Sequence, residues 1–122
     1  MLEWQNLEVW KEAHRLTLEV YWLAREFPAE ERFRLSDQVC RSAASVPANI
    51  VEGHARHSRR EYIQFLYMAR GSAEETRYHL LLAKDLGYLK DGQFQELDEA
   101  YARVSKMLNA LISSLRSKDV KP

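Results

Sequence analysis

Apolar side chains recur at alternating spacings of three and four along nearly the whole chain, which is the period of an α-helix. Val9, Ala13, Leu16, Val20, Leu23 and Phe27 form the first such stripe. Asn6 is placed to cap this segment, and Pro28 ends it. After the acidic link "PAEER", Leu35, Val39, Ala43, Val46 and Ile50 mark a second helix from Leu35 to Gly53. Pro47 interrupts its ladder, because proline has no amide and its ring displaces the carbonyl four residues back, that of Ala43. Ser58 and Glu61 have capping-box spacing and open a third helix. It carries Tyr62, Phe65, Leu66, Ala69, Ala73, Leu80 and Ala83 and stops at Gly87. Asp91 is placed to cap a fourth, striped by Phe94, Leu97, Tyr101, Val104, Leu108, Leu111 and Leu115. None of these amphipathic segments buries its stripe alone, and the links are short. The expected fold is all-α: an antiparallel up-down-up-down four-helix bundle over residues 1–117, its second helix kinked at Pro47, with a polar C-terminal tail at 118–122.

Composition narrows the function. A chain of 122 residues suits one domain, and 4 Gly and 3 Pro supply too few turns for an all-β fold. Lys and Arg total 18, matched by 18 Asp and Glu, so any nucleic-acid contact must be local. The single cysteine, Cys40, can form neither an internal disulfide nor a CxxC zinc clip, and its neighbours Val39 and Ala43 suggest a small buried hydrophobe. The opening "MLEWQNLEVWKEAHR" is charged throughout, unlike a secretory leader. No run approaches the roughly 18 consecutive apolar residues of a membrane span. The expected location is the cytoplasm, with no membrane partner.

Enzymatic signatures are missing. None of the four histidines follows a Glu at the Glu-x-x-His spacing of di-iron bundles. There is no phosphate-binding glycine loop, no GxGxxG, no HExxH and no GxSxG. No catalytic residue, metal or cofactor is expected.

Three surfaces remain. On the first helix, Leu7, Trp10, Leu18, Tyr21 and Trp22 lie between about 120° and 240° from Leu16, opposite the core stripe. They read either as scattered surface aromatics or as the interface of a homo-oligomer. On the second helix Gln38, Arg41, Ser42, Ser45, Asn49 and Glu52 stack beside the apolar stripe. Either Ser45 or Asn49 repairs the backbone at Pro47, or Asn49, Glu52 and Arg56 line a polar pocket. Finally His54, Arg56, His57, Arg59 and Arg60 form the one local basic excess, either solvated surface or a phosphate contact strengthened by the amides that open the third helix.

The run "LSDQVCRSAASVPANIVEGHARHSRREYIQFLYMARGSAEE", with Trp10, Ala13, Leu16, Val20 and Tyr21 before it and "LGYL" from Leu86 after it, resembles a known signature. It is that of the bacterial four-helix-bundle family named for the 23S rRNA intervening sequence. The resemblance implies an antiparallel bundle assembled as a closed homopentamer. More distantly the chain is similar to the accessory proteins of diversity-generating retroelements, pentameric rings that bind a reverse transcriptase and nucleic acid. The matching basic positions are Arg41, Arg56, Arg59 and Arg60. The expected function is therefore a non-enzymatic oligomer associated with RNA or other nucleic acid, with a protein-interaction scaffold as the alternative.

Overall fold

The computed structural model describes residues 3–118, and four long helices account for most of them. They are α1 Glu8–Ala24, α2 Leu35–His54, α3 Arg59–Asp85 and α4 Asp91–Ser117, and no strand occurs among the described residues. Each helix packs on the next and α1 closes against α4, while α1 with α3 and α2 with α4 stand diagonally apart. That is the square of an up-down-up-down bundle, as the periodicity requires. Its centre is filled by Leu16 and Val20 of α1, Val39, Val46 and Ile50 of α2, Leu66 and Leu80 of α3, and Tyr101, Val104 and Leu108 of α4, all fully buried. Each large side chain among them contributes about 1.5–3 kcal/mol. Of the expected tail, residues 119–122 lie outside the described residues.

The helix ends follow local chemistry, with three corrections. Asn6 does not cap α1: Trp4–Asn6 is a 3-10 turn, and Leu7 holds the cap position without a side-chain bond. The helix ends at Ala24 rather than Phe27, and Phe27 folds into the core with its ring 5.5 Å from that of Tyr88. Lys90 rather than Asp91 is the cap residue of α4, its amide donating to Gln93 Oε1 at 3.0 Å. Asp91 falls in the first turn, where its charge complements the helix dipole. Ser58 behaves as its spacing predicts, accepting from the Glu61 amide at 3.1 Å. Gly87, at φ 87°, ends α3: its amide reaches Lys84 O at 2.9 Å and that of Tyr88 reaches Ala83 O at 2.8 Å. This six-to-one plus five-to-two pattern needs a left-handed residue, hence the glycine.

Two features of α2 differ from expectation. The carbonyl freed by Pro47 is not repaired by Ser45 or Asn49. Thr17 of α1 takes it, Oγ1 lying 3.1 Å from Ala43 O and 2.8 Å from Ala13 O, so that one hydroxyl proton serves two helices. Nor does Gly53 end the helix, which continues to His54. A Cβ at Gly53 would stand 2.7 Å from Phe65 Cβ, so the glycine is there to let α3 close on α2.

Candidate functional site

Short side chains line the α2–α3 seam. Ser42 and Ser45 of α2 face Ser72, Ala73 and Thr76 of α3, and this allows hydroxyls to bond directly across. Ser72 Oγ donates to Ser45 Oγ at 3.0 Å, and Asn49 Nδ2 donates to the same oxygen at 2.9 Å and to Ser45 O at 2.8 Å. One turn along, Thr76 Oγ1 and Ser42 Oγ are 2.8 Å apart, and Ser42 Oγ lies 3.3 Å from His79 Nδ1. His79 is buried, with Glu75 Oε2 3.9 Å from its Nε2. Ser45 and Asn49 were visible from sequence as seam residues, but Thr76 and His79 were missed. The signal was there: Thr76 stands three after Ala73 and four before Leu80, a polar residue on an apolar stripe.

Ser42, His79 and Glu75 come in the order nucleophile, base, acid, but among the described residues no oxyanion-binding donor stands beside Ser42. The Ser42 hydroxyl is also 3.2 Å from Val39 O, and it sits mid-helix, where neighbouring amides are committed to the ladder and none is left to receive an oxyanion. The seam satisfies buried polar groups and fixes how α2 meets α3. Its solvent side is a cleft of about 470 Å³ lined by Asp37, Gln38, Arg41, Ser42, Ser45, Ser72 and Glu75. Asn49, Glu52 and Arg56 do not share a pocket-facing role: Asn49 turns to Ser45, and Arg56 pairs with Glu52 at 2.9 Å.

The basic residues divide. Arg56, His57, Arg59 and Arg60 are exposed at one end of the bundle, where α2 passes to α3. Arg56 also lies 4.7 Å from the centre of the Phe65 ring, and His54 meets Tyr62 edge-on at 5.7 Å. Arg41 stands apart on α2, thirteen positions before its last residue His54 and hence about 20 Å back along the axis, with Asp37 3.9 Å away. The same end receives the last turn of α4, which brings in Arg116. Arg116 and Arg70 both stack on Tyr67, their guanidinium carbons 5.5 and 4.8 Å from the ring centre. Neither arginine was legible as a site residue, since they are 46 positions apart and join only when α3 and α4 pair.

On α1 the apolar face is narrower than its spacing suggests. Leu18, Tyr21 and Trp22 are 40, 46 and 56% exposed. Leu7 and Trp10 instead pack against the chain's own core, Trp10 lying edge-on to Trp4 and stacked on His14. Cys40 is half-buried, and burial first, then the charge of Asp37, pushes its thiol pKa up, away from reactivity. Among the described residues no three His, Cys, Asp or Glu side chains cluster as metal ligands, and no helix is long and apolar enough to cross a membrane.

Residues 5–110 match the model of the 23S rRNA-intervening sequence protein family. The chain belongs to that family. Among solved structures, a protein of unknown function from the S23 ribosomal protein family of Bacteroides thetaiotaomicron VPI-5482 is similar to it. The two share 27% identity over 86% of this chain and 95% of the other, with a TM-score of 0.80. No curated protein matches the chain. The intervening-sequence family was legible in the "SVPANIVEG" run, and the helical fold described above is shared with that solved structure.

Proposed function

We propose that this intervening-sequence family protein is a non-enzymatic, cytoplasmic homo-oligomer, a closed pentamer in the reading its signature favours, that associates with RNA through its basic bundle end. The observation that carries this is the grouping of Arg56, His57, Arg59 and Arg60 on exposed surface beside the start of α3. Helix-opening amides and guanidinium groups together favour phosphate. Exposed Leu18, Tyr21 and Trp22 support self-association, and a ring repeats the basic end, turning weak contacts into an avid one. Such an assembly would work as the accessory rings of diversity-generating retroelements do. Native mass spectrometry of protein purified without nuclease tests it: an oligomer carrying RNase-sensitive mass is expected, and bare protein under all conditions would refute the RNA association.

A second reading, a protein-interaction scaffold with no nucleic-acid role, draws on the groove between α1 and α4. This groove of about 470 Å³ has Leu16, Leu23, Leu97 and Ala100 in its lining and Trp22 beside them. A partner protein retained after nuclease treatment, and lost on Trp22→Ala, is the result that would favour it.

A further inference from the structure

The α3–α4 edge carries arginines of two kinds. Toward the Gly87 end, Arg77 is neutralised, its Nε 2.7 Å from Asp98 Oδ1 and its Nη1 3.2 Å from Glu74 Oε1. At the opposite end Arg60, Arg70 and Arg116 collect around Tyr67. Among the described residues no carboxylate stands within ion-pair distance of any of the three. Arg60 and Arg116, with Ile63, Gln64 and Tyr67, line a cleft of about 310 Å³ with no acidic residue among the described residues of its lining. Two of the guanidiniums are held in advance: both stack on the Tyr67 ring, and Arg70 Nη1 also donates to Asn109 Oδ1 at 2.7 Å. Like charges placed together repel, and an anion shared between them removes that cost. Guanidiniums already fixed by a ring and an amide lose less freedom when it binds.

We infer that the cleft between Arg60 and Arg116, with Arg70 beside it on the Tyr67 ring, binds the phosphodiester backbone of single-stranded RNA, an inference that rests on the RNA-associated reading and gives it a site beyond the Arg56–Arg60 segment. Arg60 and Arg70 are ten residues apart on one helix, about 15 Å along its axis. That exceeds the span of one phosphate, so the fitting ligand is a polyanion rather than a free phosphate ion. Tyr67 already carries two guanidiniums, which leaves it poorly placed to stack on a base. Recognition is therefore of backbone, and independent of sequence.

The test is fluorescence anisotropy of a short labelled single-stranded RNA across a salt series, with wild type, Arg70→Gln/Arg116→Gln and a control, Arg25→Gln. The slope of log affinity against log salt should fall by about 0.7 for each arginine removed, with at least a tenfold loss of affinity at low salt in the double variant and none in the control. Arg116→Gln alone, an exposed change in the last turn of α4, should lower the slope by about 0.7 and keeps the test valid if the double variant fails to fold. Salt-sensitive wild-type binding with unchanged slopes in these variants would overturn the cleft while leaving the Arg56–Arg60 reading intact. No wild-type binding would overturn both. Equal competition by a polyglutamate peptide would overturn the assignment to nucleic acid.

Discussion

Thr17 on α1 donates its hydroxyl to the carbonyl of Ala43 on α2, the acceptor that Pro47 leaves without its helical partner. A proline inside a helix removes one bond and orphans one carbonyl. Here the neighbouring helix supplies the missing donor, so the local defect in α2 becomes a contact that registers α1 against it.

That relationship is measurable. Thr17→Val should destabilise the fold by about 1–2 kcal/mol, because a buried carbonyl loses its donor. With Pro47→Ala the amide returns, and the same Thr17→Val change should then cost less than about 0.5 kcal/mol. A double-mutant cycle from urea unfolding reads the difference. Equal costs in the two backgrounds would show that Thr17 does not serve the proline.

At Gly53, α2 lies against Tyr62 and Phe65 of α3 with no room for a Cβ. Alanine is the better helix former by about 1 kcal/mol, so propensity alone favours Gly53→Ala. The added carbon would meet Phe65 Cβ at 2.7 Å, however, and forcing the helices apart costs about 1–3 kcal/mol. A net loss of about 1–2 kcal/mol in the urea midpoint is expected, and a stabilised variant would mean that the helices separate freely.

Among the described residues, the Tyr101 hydroxyl is the one buried side-chain polar atom without a hydrogen-bond partner. Burial first, and then the charge of Glu19, drives its pKa well above the ordinary value of 10.0. Tyr101→Phe should therefore stabilise the protein by about 1 kcal/mol at neutral pH. The sign with pH follows from linkage. The folded state holds the proton more tightly, so stability is full below pH 10 and falls as pH rises from there toward the folded pKa, the range in which the unfolded tyrosine ionises and the folded one resists. Denaturation between about pH 8 and 11 should show an alkaline decline that is shallower in Tyr101→Phe. Parallel curves would count against this account.

Leu18, Tyr21 and Trp22 form the exposed apolar face proposed to hold copies together. Tyr21→Glu/Trp22→Glu should leave the isolated fold within about 0.5 kcal/mol of wild type, since exposed positions contribute little to it. Sedimentation velocity should nevertheless report a smaller species. A wild type that is already monomeric at micromolar concentration would remove the basis for the ring.

Much of the fold could be read from spacing. The stripe through Leu66, Ala69, Ala73 and Leu80 named both α3 and its buried face, and Gly87 and Ser58 marked its ends, because helix period, capping and left-handed turns depend on residues a few positions apart. The start of α1 was misread at Asn6, since a 3-10 turn at Trp4–Asn6 places Leu7 at the cap. The family, too, was present in the linear pattern around Pro47.

What the chain order could not reveal is which side chains from different helices come together. Nothing local links Thr17 to Ala43, Ser42 to His79, or Arg70 to Arg116. These pairs exist because Gly53 and the serine-lined seam let α2 and α3 approach closely, and because antiparallel pairing returns the end of α4 to the start of α3. The sequence alone determined the helices, their buried faces and the family. Tertiary packing decided the partners, because a side chain's neighbours across a bundle depend on helix rotation and separation, neither of which is encoded by spacing within one helix.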